Sequence, residues 1–306
     1  MKNITKTIIY IITIFFYSFH NKIYLLVKLC EKIRKWGAYI LLANQLTKDN
    51  INKKDKQQDT ITRVNTFSET EALKEYVDLI QDKLLSSLIL KARRNDPVKY
   101  KFIDGVEKRI LKDWKCLGVG NYAVVFQHKK YKQFVVKIYA ESQWTNTKEA
   151  LEQEASVYNK LGRHESYSYL YYRGENFLVL ELVKGITLYN ALNKGVRINE
   201  SVIEDIDYAI RYAKQKGLNP YDIHAKNIII QPNTNRKAVI VDVSDFKKEG
   251  VCTKWIDFKK VYYKFYRTTL YKYPVKMPMA LLYVIRKSYR IYKTEIKRRL
   301  INRASL

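Results

Sequence analysis
Three cysteines occur in 306 residues, Cys30, Cys116 and Cys252, and they lie far apart, with no C-x-x-C pair and no nearby histidine to complete a zinc set. This scarcity argues against a disulfide framework or a zinc module and points to a reducing compartment. Acidic groups are also few, 30 against 57 Lys plus Arg, which gives a formal charge of +27 and a pI near 9.7. There is no internal repeat, and no signal-type A-x-A follows the N-terminal apolar segment. That segment, Thr7 to Asn21, has 15 residues free of Lys, Arg, Asp and Glu. As a helix it reaches about 22 Å, short of a hydrocarbon core of roughly 30 Å unless flanking lysines snorkel. What is present is a core: 47% hydrophobic residues with 28% charged exclude a disordered chain, and the length allows one large or two modest domains.

The positive charge is unevenly placed. Residues 1–65 carry an excess of 8, residues 254–306 an excess of 13, and the 188 residues between them only 6. Lysine outnumbers arginine 41 to 16 beside 26 tyrosines, so part of the excess reflects AT-rich codon usage. An anion-seeking surface is therefore built mainly from the two ends. For the N-terminal end two readings stand: membrane attachment through residues 7–21, with Lys22, Lys28, Lys32, Arg34 and Lys35 keeping the rest cytoplasmic, or a helical appendage packed on the main domain. The expected location is thus cytoplasmic, with membrane association through the apolar segment.

Along the chain, residues 44–66 read as a polar linker. Phe67 to Arg94 reads as a helix, with Leu73, Val77, Ile80, Leu84 and Leu88 at helical spacing, Ser68 and Glu71 as a capping box, and Asp96-Pro97 as its end. Gly118 and Gly120 then form a tight turn between strand-like runs, where backbone N–H groups can approach phosphate because no Cβ intervenes; a plain hairpin gives the same letters. In the strand Phe134 to Tyr139, Phe134, Val136 and Ile138 share one face and Lys137 points off the other with Val135. The helix Thr147 to Leu161 sets Glu154 on the same stripe as Leu151, Ala155, Tyr158 and Leu161. A buried lysine and a buried carboxylate are each costly alone and tolerable as a pair, which a structural salt bridge would equally explain.

Further on, Ile228-Ile229-Ile230 and Val239-Ile240-Val241 read as a hairpin joined at Pro232 to Asn235. Pairing 228 with 241 sets Asn227 opposite Asp242, with Asp222 on the loop before them. Two carboxylates and an amide converging at the mouth of an apolar hairpin call for a hard cation, and oxygen donors of this kind suit Mg²⁺ with water and phosphate in its remaining positions.

In order and type, these residues resemble the protein-kinase superfamily. The run Gly217-Leu218-Asn219-Pro220-Tyr221-Asp222-Ile223-His224-Ala225-Lys226-Asn227, with Asp242-Val243-Ser244-Asp245-Phe246 after it, is similar to small serine/threonine protein-kinase-like proteins of Bacillus-type bacteria. The resemblance covers about 110–290. It implies an α+β, bilobal fold with a reduced C-lobe and an N-terminal helical extension. The parts would be 1–66 as basic, hydrophobic extension and linker, 67–109 as a helical lead-in, 110–180 as N-lobe and 181–306 as reduced C-lobe. It also implies ATP and Mg²⁺ as cofactors. Leu117, Gly118, Val119, Gly120, Ala123 and Val125 would form the glycine-rich loop region over the nucleotide, Ala123 standing where a third glycine is usual. Lys137 would anchor the phosphates with Glu154 as its partner, Glu181 and Leu182 would form the hinge, Asp222 would orient the acceptor hydroxyl and take its proton, and Asn227 with Asp242 would hold the metal.

Departures from the family pattern limit what carries over. Pro220 and Tyr221 stand where His and Arg precede the catalytic Asp, which argues against control by activation-loop phosphorylation. Val243-Ser244 replaces Phe-Gly, no A-P-E follows, and 64 residues remain after Asp242. His224 occupies a position where small-molecule kinases also carry histidine. The readings are a serine/threonine protein kinase, a kinase for a small hydroxyl compound or cell-envelope glycan, and a nucleotide-binding pseudokinase. The last is disfavoured because Lys137, Glu154, Asp222, Asn227 and Asp242 are all present. At the C-terminal end, Ile285, Tyr289, Tyr292, Ile296 and Leu300 form a stripe flanked by basic residues. It would pack on the core or meet an anionic membrane surface, with nucleic acid a distant third.

Overall fold
A computed structural model describes residues 62–94, 96–232, 237–272 and 276–304. The N-terminal apolar segment, the linker up to residue 61 and the turn at 233–236 lie outside the described residues. The expected cytoplasmic location with attachment through residues 7–21 is corrected: among the described residues no helix is long and apolar enough to cross a membrane, and the segment named for that role is not among them.

The architecture is α+β. Helix α1 (Thr62–Leu79) runs through a π-turn (Ile80–Leu84) and a 3₁₀ turn (Leu85–Ser87) into the hairpin β1 (Leu88–Arg93) and β2 (Asp96–Phe102). This corrects the single helix expected over Phe67 to Arg94. The helical spacing holds to Leu84, but Leu88, Leu90 and Ala92 take up the period of two and pack on the sheet, while the backbone of Leu88 and Leu90 pairs with β2. Asp96-Pro97, read as a helix end, opens β2, a strand position that tolerates proline. Ser68 lies inside the helix rather than at its start.

After α2 (Glu107–Asp113) comes an antiparallel five-stranded sheet of order β3-β4-β5-β7-β6: β3 (Trp114–Val119), β4 (Ala123–His128), β5 (Phe134–Tyr139), β6 (Leu170–Arg173) and β7 (Phe177–Glu181). Between β5 and β6 lies α3 (Thr147–Leu161), capped by the Asn146 side chain, which accepts from the Glu149 N–H. Alternation along the strands divides two cores. Val124, Phe126, Phe134, Val136, Ile138, Phe177 and Val179 face outward, onto Tyr76, Ile80, Leu84 and Phe102 of the segment 62–102. Ala123, Val135, Tyr139, Leu178 and Leu180 face inward, onto α3 and the helical half of the molecule.

That half begins with β8 (Ile186–Thr187), α4 (Leu188–Lys194) and α5 (Glu200–Gln215), and a three-stranded sheet of order β10-β9-β8 uses β9 (Ile228–Ile230) and β10 (Ala238–Ile240). Gly185 leads into β8; a Cβ there would collide with the Ile230 carbonyl, so only glycine lets the connector lie against β9. The chain closes with α6 (Thr253–Val261), a π-helical stretch (Tyr262–Leu270) whose Tyr262 and Tyr266 bond the backbone of Ile198, and α7 (Met279–Ala304). Core packing of the α7 stripe is not realised at Ile285, which is 51% exposed; among the described side chains of this helix Leu282 is buried, and Tyr289 bonds Asp257. The side chains of Tyr292, Ile296 and Leu300 lie outside the described residues.

Candidate active site
The inner face of β5 carries the charge. Lys137, 12% exposed, donates from Nζ to both oxygens of Glu154, at 2.8 and 2.7 Å, and lies 3.4 Å from Asp242 Oδ1. Glu154 is fully buried on α3, and Tyr139, two residues along β5 from Lys137, donates its hydroxyl to the same carboxylate. Burial works against the ammonium charge, but Asp242 and Glu154 outweigh it and hold Lys137 protonated, above the usual lysine range. Burial raises the Glu154 carboxyl despite Lys137. Burial also opposes the charge on Asp242, yet Lys137 and the backbone N–H of Ser244, 3.1 Å from Oδ1, keep that carboxyl low and ionised. Asp242 thus meets Lys137 across 105 positions of sequence.

The glycine turn joins β3 and β4 above this cluster. Leu117 is an extra residue, because Cys116 pairs with Phe126 and Gly118 with Val125. Gly120 donates to the Ala123 carbonyl at 2.8 Å and accepts from the Val98 N–H at 2.9 Å, so strand β2 holds the turn from behind. A Cβ on Gly118 would stand in open space, room that a ligand could fill. Leu117 and Val119 are exposed, at 42% and 39%, Ala123 is buried, and Val125 packs partly buried against the inner core with Leu182. Where β7 ends, the N–H groups of Glu181 and Leu182 are committed within the protein, to the carbonyls of Tyr169 and Gln133, each at 2.8 Å.

On the far side lies the loop 219–227. Asp222 has φ 59°, the left-handed region, and no other non-glycine residue among those described shares it. A backbone held there against steric preference marks a position fixed by its surroundings. Its carboxylate contacts Lys254 Nζ and lies 3.8 Å from His224 Nε2. Burial lowers the His224 pKa, and its Nδ1 has no hydrogen-bond partner among the described residues.

The β9–β10 register differs by one from that expected. Ile240 pairs with Ile228, and the Val241 N–H donates to the Asn227 carbonyl at 3.0 Å, so Asn227 faces Val241 and Asp242 follows one step on. The bond from the Gln231 N–H to the Lys237 carbonyl sets this register at the turn. Among the described residues no group of three or more His, Cys, Asp or Glu is placed to bind a metal. The donors at this end are one carboxylate and one amide, an oxygen set.

Three residues of the site escaped sequence reasoning. Tyr139 was legible, since a period of two sets it on the face of Lys137. Asn219 ties the stretch after Asp242 to the loop: its Nδ2 donates to the carbonyls of Lys248 and Gly250, and its N–H to that of Phe246 at 2.9 Å. Lys254 had one weak signal, a lysine in the first turn of a helix with no acidic residue there.

No protein-family model matches the chain. It is 36% identical over 138 residues to YrzF of Bacillus subtilis, provisionally named a serine/threonine-protein kinase, a match covering 45% of this chain and 62% of that protein. It is 25% identical over 142 residues to the serine/threonine-protein kinase GG21441 of Drosophila erecta, covering 43% of this chain and 19% of the relative. With human serine/threonine-protein kinase DCLK2 it shares 27% over 127 residues, covering 38% and 16%. Among solved structures it is similar to Rad53 1–466 in complex with AMP-PNP, at TM-score 0.36 and 22% identity, covering 48% of this chain and 46% of that one. In the matched stretches the chain is thus similar to proteins named serine/threonine kinases, and it spans less than two thirds of YrzF and under a fifth of the other two relatives.

Proposed function
We propose that the chain is an ATP- and Mg²⁺-dependent phosphotransferase, acting as a serine/threonine protein kinase. The observation that carries this reading is Lys137 bridging Glu154 and Asp242 within 3.4 Å beneath an open glycine turn. Lys137, oriented by Glu154 and Tyr139, binds the α- and β-phosphates of ATP. Asp242 and Asn227 are the residues that would hold Mg²⁺, and the oxygen-only donor set fits it. The metal supplies charge neutralisation on the phosphates. Asp222 orients the acceptor hydroxyl and accepts its proton as the oxygen attacks the γ-phosphorus. The kinase names of the relatives support a protein acceptor.

A small-molecule acceptor is favoured by one feature. Only residues 243–252 separate Asp242 from α6, and Asn219 ties that stretch to the catalytic loop, leaving little chain to form a peptide platform. Incubating the full chain with γ-labelled ATP and Mg²⁺, with a generic protein acceptor or with cell-envelope extract, tests both. Label on protein supports the kinase reading, label on a small product the alternative, and label on neither overturns phosphotransfer.

A further inference from the structure
Lys254 stands in an unfavourable place for a helix. It is the second residue of α6, where the partial positive charge of the helix end repels an ammonium group, and no acidic residue shares that turn. The helix itself is firmly seated: Trp255, 3% exposed, donates from Nε1 to Asp207 at 2.8 Å, and Lys259 pairs with the same carboxylate at 2.9 Å. Lys254 is thus carried on a fixed base, with its side chain 46% exposed and its Nζ on the Asp222 carboxylate. Asp222 is also the residue with the left-handed backbone.

Two facts about charge follow. Lys137 is already shared between Glu154 and Asp242, so a triphosphate entering beneath the glycine turn needs further positive charge at its outer end. And the Lys254 ammonium group sits on a carboxylate oxygen of Asp222 that an acceptor hydroxyl would approach. One movement answers both: the flexible lysine stem swings from Asp222 to the incoming phosphate, drawn by its greater negative charge.

We propose that Lys254 is a catalytic residue that leaves Asp222 to hold the γ-phosphoryl group of ATP during transfer. This rests on the phosphotransferase reading above. In the step, the acceptor oxygen forms a bond to the γ-phosphorus and the bond from that phosphorus to the β,γ-bridging oxygen breaks. The electron pair of the broken bond stays on the β-phosphate of ADP, and the hydroxyl proton passes to the freed Asp222 carboxylate. Lys254 bonds the non-bridging γ-oxygens, where charge is spread in the transition state.

The test measures affinity of the full chain for ADP and for an ATP analogue with a non-hydrolysable β–γ linkage, in magnesium buffer, for wild type, Lys254→Ala, Lys254→Arg and Lys137→Met. Each variant is first shown to unfold cooperatively on heating. Lys254→Ala is expected to weaken the analogue about tenfold, the worth of one charge-assisted hydrogen bond, and ADP less than about twofold. Lys254→Arg is expected to recover most of the loss, and Lys137→Met to weaken both nucleotides. Transfer by Lys254→Ala should fall about 10²- to 10³-fold. If Lys137→Met weakens both ligands while Lys254→Ala changes neither, or changes both equally, the role of Lys254 is overturned and phosphotransfer stands. If wild type binds neither nucleotide, or Lys137→Met binds both as wild type does, the phosphotransferase reading falls and the role of Lys254 falls with it.

Discussion
The two faces of the five-stranded sheet are made by alternate residues of the same strands, yet they differ in kind. The outer face is an aromatic core in which Tyr76 stacks on Phe134 with ring centroids 5.4 Å apart and Tyr100 meets Phe126 edge-on at the same distance. The inner face carries Lys137 and Tyr139, both engaged with Glu154 of α3. Along β5 a step of one residue separates stability from chemistry. The segment 62–102 belongs to this division, because it covers the outer face and leaves the inner one to the cleft.

Substitutions on the two faces should separate accordingly. The largest effect is expected from Asp242→Asn, which keeps shape and removes the charge facing Lys137: transfer should fall on the order of 10⁴-fold, about 5 kcal/mol of barrier, with the melting temperature nearly unchanged. Turnover of labelled ATP and a thermal scan on the same sample check it. On the outer face Phe126→Ala should do the reverse, costing about 3–4 kcal/mol of stability in denaturant titration while the rate per folded molecule is retained.

A matched pair of tyrosines sharpens the contrast. Tyr139→Phe removes the hydroxyl bonded to the buried Glu154 carboxylate and should destabilise by about 2 kcal/mol. Tyr76→Phe removes a buried hydroxyl with no partner among the described residues and should stabilise by about 1 kcal/mol. The same deletion of one oxygen would then act with opposite signs on the two faces, as urea midpoints would show. A loss of stability in both would mean that the outer hydroxyl has a partner and that the two faces do not differ in this respect.

Much of the inner face was legible in sequence because it depends on local periods. Lys137 on a strand and Glu154 on a helical stripe follow from spacings of two and of three and four, and the helix over Thr147–Leu161 has the bounds its stripe implied. What could not be read depends on contacts distant in sequence. The helix expected to continue to Arg94 becomes a strand because β2 pairs with it, and spacing of four from Leu84 to Leu88 suits either state. The slip that places Asn227 opposite Val241 is set by a turn bond between Gln231 and Lys237. Lys254 reaches Asp222 across 32 positions, and no local pattern announces such a meeting. The exposed Ile285 shows the converse, a clean helical stripe whose side chain finds no core.

The most direct measurement is phosphoryl transfer from γ-labelled ATP by the full chain, its Asp242→Asn variant and its Phe126→Ala variant, each rate divided by the folded fraction measured on the same sample. Wild type and Phe126→Ala should transfer at the same rate per folded molecule, and Asp242→Asn, fully folded, should transfer almost nothing. Wild-type transfer by Asp242→Asn would contradict the assignment of chemistry to the inner face.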